Sequence, residues 1–228
     1  MPLYTAEALV LRTYALGEAD RIVVFLTRDR GKKRGVAKSA RRSRRRFGGA
    51  LEPLTEVQVA YYESARRQLV GLNYAEMVRS PLALVGRGDA GDTGVDSAAS
   101  ALGYVEYFAE LLDEWAQEAD ADERLYRLGT AMLDGLAAGA PLEPLARYFE
   151  FWLLRLQGLY PEMRGSLSEG ALAFLAEARN AAPQDIGRLP ADRRVLREIE
   201  NVHRSLITMH LEKTLKSDRV LRDLRRHA

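Results

Sequence analysis

The chain has no cysteine. Disulfides and thiolate–zinc sites are therefore excluded, and a reducing cytoplasm is the natural compartment. Long apolar runs are missing too: none reaches the roughly 18 uninterrupted residues that a membrane-spanning helix needs. The opening residues, MPLYTAEALVLRTY, lack the basic start and apolar core of a secretory signal. A soluble cytoplasmic protein without a membrane partner is expected. Histidine is scarce, and His203 and His210, seven apart on one expected helix, supply too few ligands for a metal. No nucleophile elbow, Ser/His/Asp order or P-loop occurs among the 228 residues. Catalysis finds no support, so neither a cofactor nor an enzymatic role is expected.

What is present suffices for two small packed domains, since 47% of the 228 residues are hydrophobic. The net charge of +2 conceals an asymmetry. Residues 28–46 hold eleven Lys or Arg against one acid, Asp29, a local charge of +10 that leaves the remainder at 2 − 10 = −8. Such a stretch is a local anion-binding surface on an otherwise near-neutral protein.

Residues 1 to about 80 read as strands. EALVLRT, DRIVVFLT, RGVAK, TEVQVAYYE and QLVGLNYAEMV are short, rich in β-branched residues and partly alternating. Turn formers separate them at Gly17, Asp29–Gly31, Gly48–Gly49 and 64–67. Five such strands fit a small barrel; an OB-fold is one five-stranded example, and a generic barrel or sheet fits as well. GRGDAGDTGVD (86–96) is polar and rich in Gly and Asp, as a linker is. Its GRGDAG formally matches G-x-G-x-x-G, but its acids sit where a phosphate would have to lie, and no βαβ unit surrounds it. The expected division is thus 1–80, a linker over 81–96, and a helical domain over 97–228.

In that second part the apolar spacing becomes helical. After the capping candidate Ser97, Leu102, Val105, Phe108, Ala109 and Leu112 share a face. Further helices are expected over ERLYRLGTAMLDGLAAG, ending at Gly139, between Pro141 and Pro161, and at about 169–179. Another carries Leu196, Ile199, Val202, Leu206 and Met209 along one stripe. Glu106, Glu110, Glu114 and Glu118 recur every four residues and read most simply as a solvated, DNA-repelling face.

The basic run invites two readings. As a loop it would only solubilise the protein. Three details favour nucleic acid. Lys32, Lys33, Arg34 and Lys38 begin inside an expected strand and turn. Arg, whose planar fork suits phosphate, dominates the later half at Arg41, Arg42, Arg44, Arg45 and Arg46. Phe47 and the pair Tyr61–Tyr62 offer π-faces for bases, although alternation leaves at most one of the two tyrosines free. An RNA-binding OB protein of translation or ribosome assembly remains the alternative to a DNA-binding one.

These residues carry a family resemblance. GEADRIVVFLTRDRGKKRGVAKSARRSRRRFGGALEPLTEVQVAYYE (17–63), YFEFWLLRLQGLYPE (148–162) and LKSDRVLRDL (215–224) resemble RecO, the bacterial recombination mediators. The resemblance implies an OB-fold followed by an α-helical domain. It also implies a protein that binds single- and double-stranded DNA, anneals complementary strands and, with RecR, helps place RecA on DNA coated by single-strand binding protein. The family's DNA-contacting positions on the third strand and the loop after it fall on Arg34 and Lys38. Arg41, Arg42 and Arg44 to Arg46 extend that patch, and Arg12 and Arg21 lie on neighbouring strands. The strand half of the run is expected to be rigid and the half over 39–49 a mobile loop. Many relatives carry a four-cysteine zinc module after the GLYP segment; here EMRGSLSEG (162–170) stands in its place. The acidic tail of single-strand binding protein is expected on the helical domain, with Arg193, Arg194, Arg197 and Arg204 as a lip.

Overall fold

A computed structural model describes residues 2–64, 68–85, 95–160 and 167–227. Most of the expected linker, at 86–94, and the segment 161–166 at the zinc-module position lie outside the described residues. Two compact units form. One comprises Met1–Ala83 with Phe108–Thr130, the other Leu84–Tyr107 with Ala131–Ala228. Part of the helical sequence thus groups with the strands.

In the first unit, β1 (Leu3–Leu16), β2 (Asp20–Thr27), β3 (Gly31–Ala37), β4 (Glu56–Tyr62) and β5 (Val70–Arg79) close a barrel in the order β1-β2-β3-β5-β4. All neighbours are antiparallel except β3 and β5, and β1 pairs with both β2 and β4 to shut the ring. This is the expected five-stranded OB-fold. Ala8, Val10, Val23, Phe25, Val57, Val59, Tyr61 and Leu72 fill the interior, and Phe47, from the one-turn helix α1 (Arg44–Phe47), packs into the same cluster.

Alternation is only partial along β1 and β2 because both faces are buried. Leu9, Leu11, Val24 and Leu26 are as inaccessible as their inward neighbours. Cover comes from α3 (Val95–Trp115) and α4 (Glu123–Ala137) through their Phe108–Thr130 portion. At Gly129 a Cβ would lie 2.5 Å from Leu9 Cδ1 and 2.9 Å from Leu112 Cδ1, so a larger residue would have to push these leucines aside for α4 to approach this closely. The loop between α3 and α4 then lies along the open edge of β3. Lys32 N donates to Gln117 O (3.0 Å) and Ala119 N to Lys32 O (3.2 Å), which pairs a short extra stub with the strand. Gly31 makes this possible: its φ is +66°, and a Cβ there would lie 2.6 Å from the Asp120 carbonyl carbon.

The second unit holds α5 (Leu142–Leu156), α6 (Glu169–Ala178), α7 (Arg193–Leu211), α8 (Lys216–His227) and the remaining parts of α3 and α4, with a short α2 (Pro81–Val85) split between the units. Ser168 and Asp192 cap α6 and α7 by accepting from Ala171 N and Val195 N. The expected stripes shift slightly. On α3, Val105 and Phe108 are buried as foreseen, but Leu102 is 44% exposed, and the helix starts at Val95, before Ser97. On α7 the buried line is Leu196, Ile199, Glu200, His203 and Ile207, while Met209 is 70% exposed. Apolar spacing alone misses that line because two of its members are polar.

Those two belong to a buried network. Glu150 accepts from the Tyr107 hydroxyl and Arg147 (both 2.8 Å) and faces His203 Nδ1 at 2.9 Å. Arg147 also reaches Glu200 at 2.9 Å, and Glu200 pairs onward with Arg204, which meets Asp218 of α8 at 3.2 Å. Burial lowers the Arg147 pKa, but the carboxylates of Glu150 and Glu200 outweigh it and the net shift is upward. For His203 burial dominates over the bond to Glu150 and lowers its pKa. The neutral ring therefore donates from Nδ1 to Glu150 and accepts from the Tyr160 hydroxyl at Nε2, 3.2 Å away. Charges this deep are tolerable because each carboxylate has a cation or hydroxyl partner.

Two outcomes are expected. Gly31→Ala should cost about 2–4 kcal/mol, combining left-handed strain with a backbone clash. Gly17→Ala, at φ +59° with nothing within 4 Å, should cost only about 1 kcal/mol; equal urea midpoints for the two variants would refute the packing of Asp120 on β3. In His203 the unfolded ring binds protons more readily than the folded one. Its stabilisation is therefore complete above about pH 6.5 and declines as the pH falls through the lowered folded value, by at most about 1.4 kcal/mol per pH unit. Urea midpoints measured from pH 7.5 down to 5 should fall less steeply in His203→Gln than in the wild type.

Candidate nucleic-acid interface

Strand alternation sorts the basic residues of β3. Inward positions carry Gly35 and Ala37 against Phe25, Val70 and Leu72, so Lys32, Arg34, Val36 and then Lys38 line the outer face. The first two are met by the acidic end of α3 and the loop after it. Lys32 is buried against Asp113 (3.2 Å) and also donates to the Asp113 carbonyl. Arg12 reaches the other Asp113 oxygen at 3.2 Å, with Glu110 and Glu114 within 4 Å. Arg34 pairs with Glu118 at 3.1 Å in an exposed bridge. The acidic stripe is thus not the solvated face its spacing suggests: Glu110 and Glu114 are half-buried or nearly so against Arg12, and Glu118 lies beyond the helix end. Only Glu106 of the four is exposed on the helix itself.

Of the other expected contacts, Lys33 turns to Glu63 (2.8 Å), and Arg21 lies 4.0 Å from Glu52. Lys38, Arg41, Arg42, Arg44, Arg45 and Arg46 have no carboxylate within 4 Å among the described residues. The sequence reading sorts the eleven cations by strand and loop, not by partner. The fold separates five with an acidic partner from six without one.

The six are held in shape. Phe47 is buried in the barrel, so it anchors α1 and is not the free π-face expected of it. Arg46 donates to Lys38 O (2.6 Å) and Ser43 Oγ (3.2 Å), and its guanidinium lies 5.0 Å from the Phe47 ring centre. Arg41 donates from its backbone to Ala19 O and from its side chain to Glu18 O. The segment expected as a loop over 39–49 thus contains a helical turn with its guanidinium groups at the surface. Of the tyrosine pair, Tyr61 is inside against Tyr4 and Phe25, its hydroxyl pKa pushed up to about 12 by burial, and Tyr62 is outside.

Beside the patch runs a groove of about 890 Å³. Val36, Tyr62 and Leu69 contribute apolar surface, Lys38 and Arg46 contribute charge, and among the described residues no acid lines it. A second hollow of about 500 Å³, bordered by Tyr4, Lys33, Arg34, Glu63 and Glu118, already contains its own counter-charges. On α7, Arg193, Arg194 and Arg197 are exposed, but Arg204 is tied to Glu200 and Asp218.

Comparison with known proteins accords with this geometry. The family description "Recombination protein O N terminal" matches residues 1–81, the barrel, and "Recombination protein O C terminal" matches residues 97–165. A DNA repair protein RecO from Geobacter metallireducens is 35% identical over 177 residues, covering 77% of this chain and 67% of that protein. The chain belongs to the RecO family. Other RecO relatives include the DNA repair protein RecO of Koribacter versatilis, 42% identical over 162 residues, or 71% of this chain and 61% of that one. That of Anaeromyxobacter sp. strain K is 39% identical over 163 residues, 72% and 60% respectively. Against these two RecO proteins the chain spans about three-fifths of the relative's length.

The division of cations is testable by stability. Lys32→Ala should cost about 2 kcal/mol or more, because Asp113 stays buried with Arg12 as its remaining partner. Arg44→Ala/Arg45→Ala should stay within about 0.5 kcal/mol of wild type. Urea unfolding of both variants checks this, and equal losses would show that the two sets are not distinct.

Proposed function

We propose that the chain is a recombination mediator of DNA repair, acting by binding and not by catalysis. The observation that carries the reading is the acid-free group Lys38, Arg41, Arg42, Arg44, Arg45 and Arg46 on a shaped barrel surface. Membership of a family whose relatives are DNA repair proteins supports it. Single- and double-stranded DNA are the proposed ligands, both through phosphate. Six cations in nine residues screen the repulsion between two strands and hold them close enough to pair. Annealing of this kind needs no nucleotide hydrolysis. RecR, and single-strand binding protein through its acidic tail, are the proposed partners in delivering RecA, with the cytoplasm and its nucleoid as the place of action. Among the described residues no helix is long and apolar enough to cross a membrane.

Arg34 takes part on this reading only by giving up Glu118, an exposed pair worth no more than about 1 kcal/mol. Arg12, Lys32 and Lys33 are assigned to the fold instead. The test is annealing of complementary oligonucleotides coated with single-strand binding protein. Replacing Arg41, Arg42, Arg44 and Arg45 together by Ala should abolish most of the acceleration. The slope of log K against log salt on single strands should become shallower by about 3, at about 0.7 per lost phosphate contact. Unchanged annealing and slope would move the interface elsewhere, and a large preference for matched RNA over DNA would favour the translation reading.

A further inference from the structure

The pairing register places a row of outward residues across the barrel beside the basic patch. Leu3 pairs with Tyr62, Tyr62 with Gly71, and Gly71 with Val36. The adjacent row, Tyr4, Tyr61, Leu72 and Ala37, points inward and packs in the core, which fixes the first row as outward. Leu3 and Tyr62 are 51% and 37% exposed. Gly71, between Tyr62 and Val36, contributes no side chain, so the row has a gap at the groove beside Tyr62.

From this we infer that the gap is a stacking subsite for one unpaired nucleobase, with Tyr62 as its platform. The inference rests on the nucleic-acid reading and adds strand selectivity to it. An apolar, open-sided slot next to an aromatic ring suits a flat π-surface, and the cations Lys38 and Arg46 on the rim suit the phosphates flanking it. Among the described residues no carboxylate lines the slot to repel them. In a duplex the bases are stacked and turned inward, so only an unstacked base on a flexible strand can enter. The six-cation patch serves both strand forms, whereas the slot serves one. An acidic or apolar protein segment is the rival occupant, and it predicts no effect of the slot on DNA.

Two substitutions test the slot from opposite sides. Tyr62→Thr removes the ring but keeps a strand-forming residue on β4. Gly71→Val keeps the ring and fills the gap; a Cβ at Gly71 would sit 4.0 Å from Tyr62 Cβ, an ordinary contact, and its backbone is not left-handed. Binding of each folded variant to an oligothymidine and to a duplex of equal phosphate number is read by fluorescence anisotropy, with urea midpoints as the check on folding. Both variants should bind the single strand roughly 5- to 100-fold more weakly, as loss of one stacked base predicts. Duplex affinity should change less than twofold, and Tyr62→Phe should behave as wild type. Wild-type single-strand affinity in either Tyr62→Thr or Gly71→Val overturns the subsite while leaving the basic-patch reading intact. Equal weakening on both strand forms also overturns it, because the ring would then serve only general shape. If the wild-type protein binds neither oligonucleotide, the nucleic-acid reading fails and the subsite with it.

Discussion

Lys32 and Asp113 form the contact on which the first unit depends. The lysine is buried on the outer face of β3, with its ammonium against an α3 carboxylate and the carbonyl of the same residue. A charge at that depth is tolerable only with its partner in place, so β3 and α3 must be folded together. Arg12 shares Asp113 from β1, while Gln117 and Ala119 close the backbone hydrogen bonds of Lys32. Gly31, one residue earlier, has the left-handed conformation that lets this loop approach. Without the clamp, Leu9 of β1 would lose its cover from Leu112 and α4, and the free edge of β3 would be open to pairing with another chain.

The same clamp sets the electrostatics. A run of +10 on a small barrel would repel itself, and the acids of α3 offset part of it locally. They do so selectively, because strand alternation brings Lys32 and Arg34 to the acids and carries Lys38 past them. Arg34 and Glu118 are both more than half exposed, so water screens their attraction and the pair holds weakly. Lys32 and Asp113 are each only 11% exposed, and that pair belongs to the fold. One strand face therefore grades from fixed charge, through exchangeable charge, to open charge at Lys38 and the turn of α1.

Much of the architecture was legible in the sequence. DRIVVFLT coincides with β2, and the turn formers at Gly17 and Gly31 fall where the chain reverses. What composition could not show was which cations are answered, since Asp113 and Glu118 lie some eighty residues from Lys32 and Arg34. A stripe of acid at helical spacing has the same pattern whether it meets water or a basic strand; the unbroken apolar run over 8–11 in β1, where alternation would put polar residues on one side, was the available hint that both faces of the strand are covered. Phe47 looked like a free ring because it adjoins five arginines, yet a lone aromatic beside a charged turn is also what plugs a barrel end. His203 and Glu200 were invisible as core positions for a related reason: a buried ion-pair network puts polar residues where periodicity expects apolar ones.

Charge and stacking divide the proposed work of the interface. The proposed phosphate contacts through Lys38 and the arginines of 41–46 would be indifferent to sequence and strand form, and would weaken steeply with salt. A ring in an apolar slot contributes a component that salt hardly touches. A mediator has to release each strand once it is paired, and pairing draws a base out of any slot that accepts only unstacked ones. On that reading the patch gathers strands of either form, while the gap at Gly71 favours the one not yet paired. Duplex formation then lowers the protein's hold on its product without any input of chemical energy.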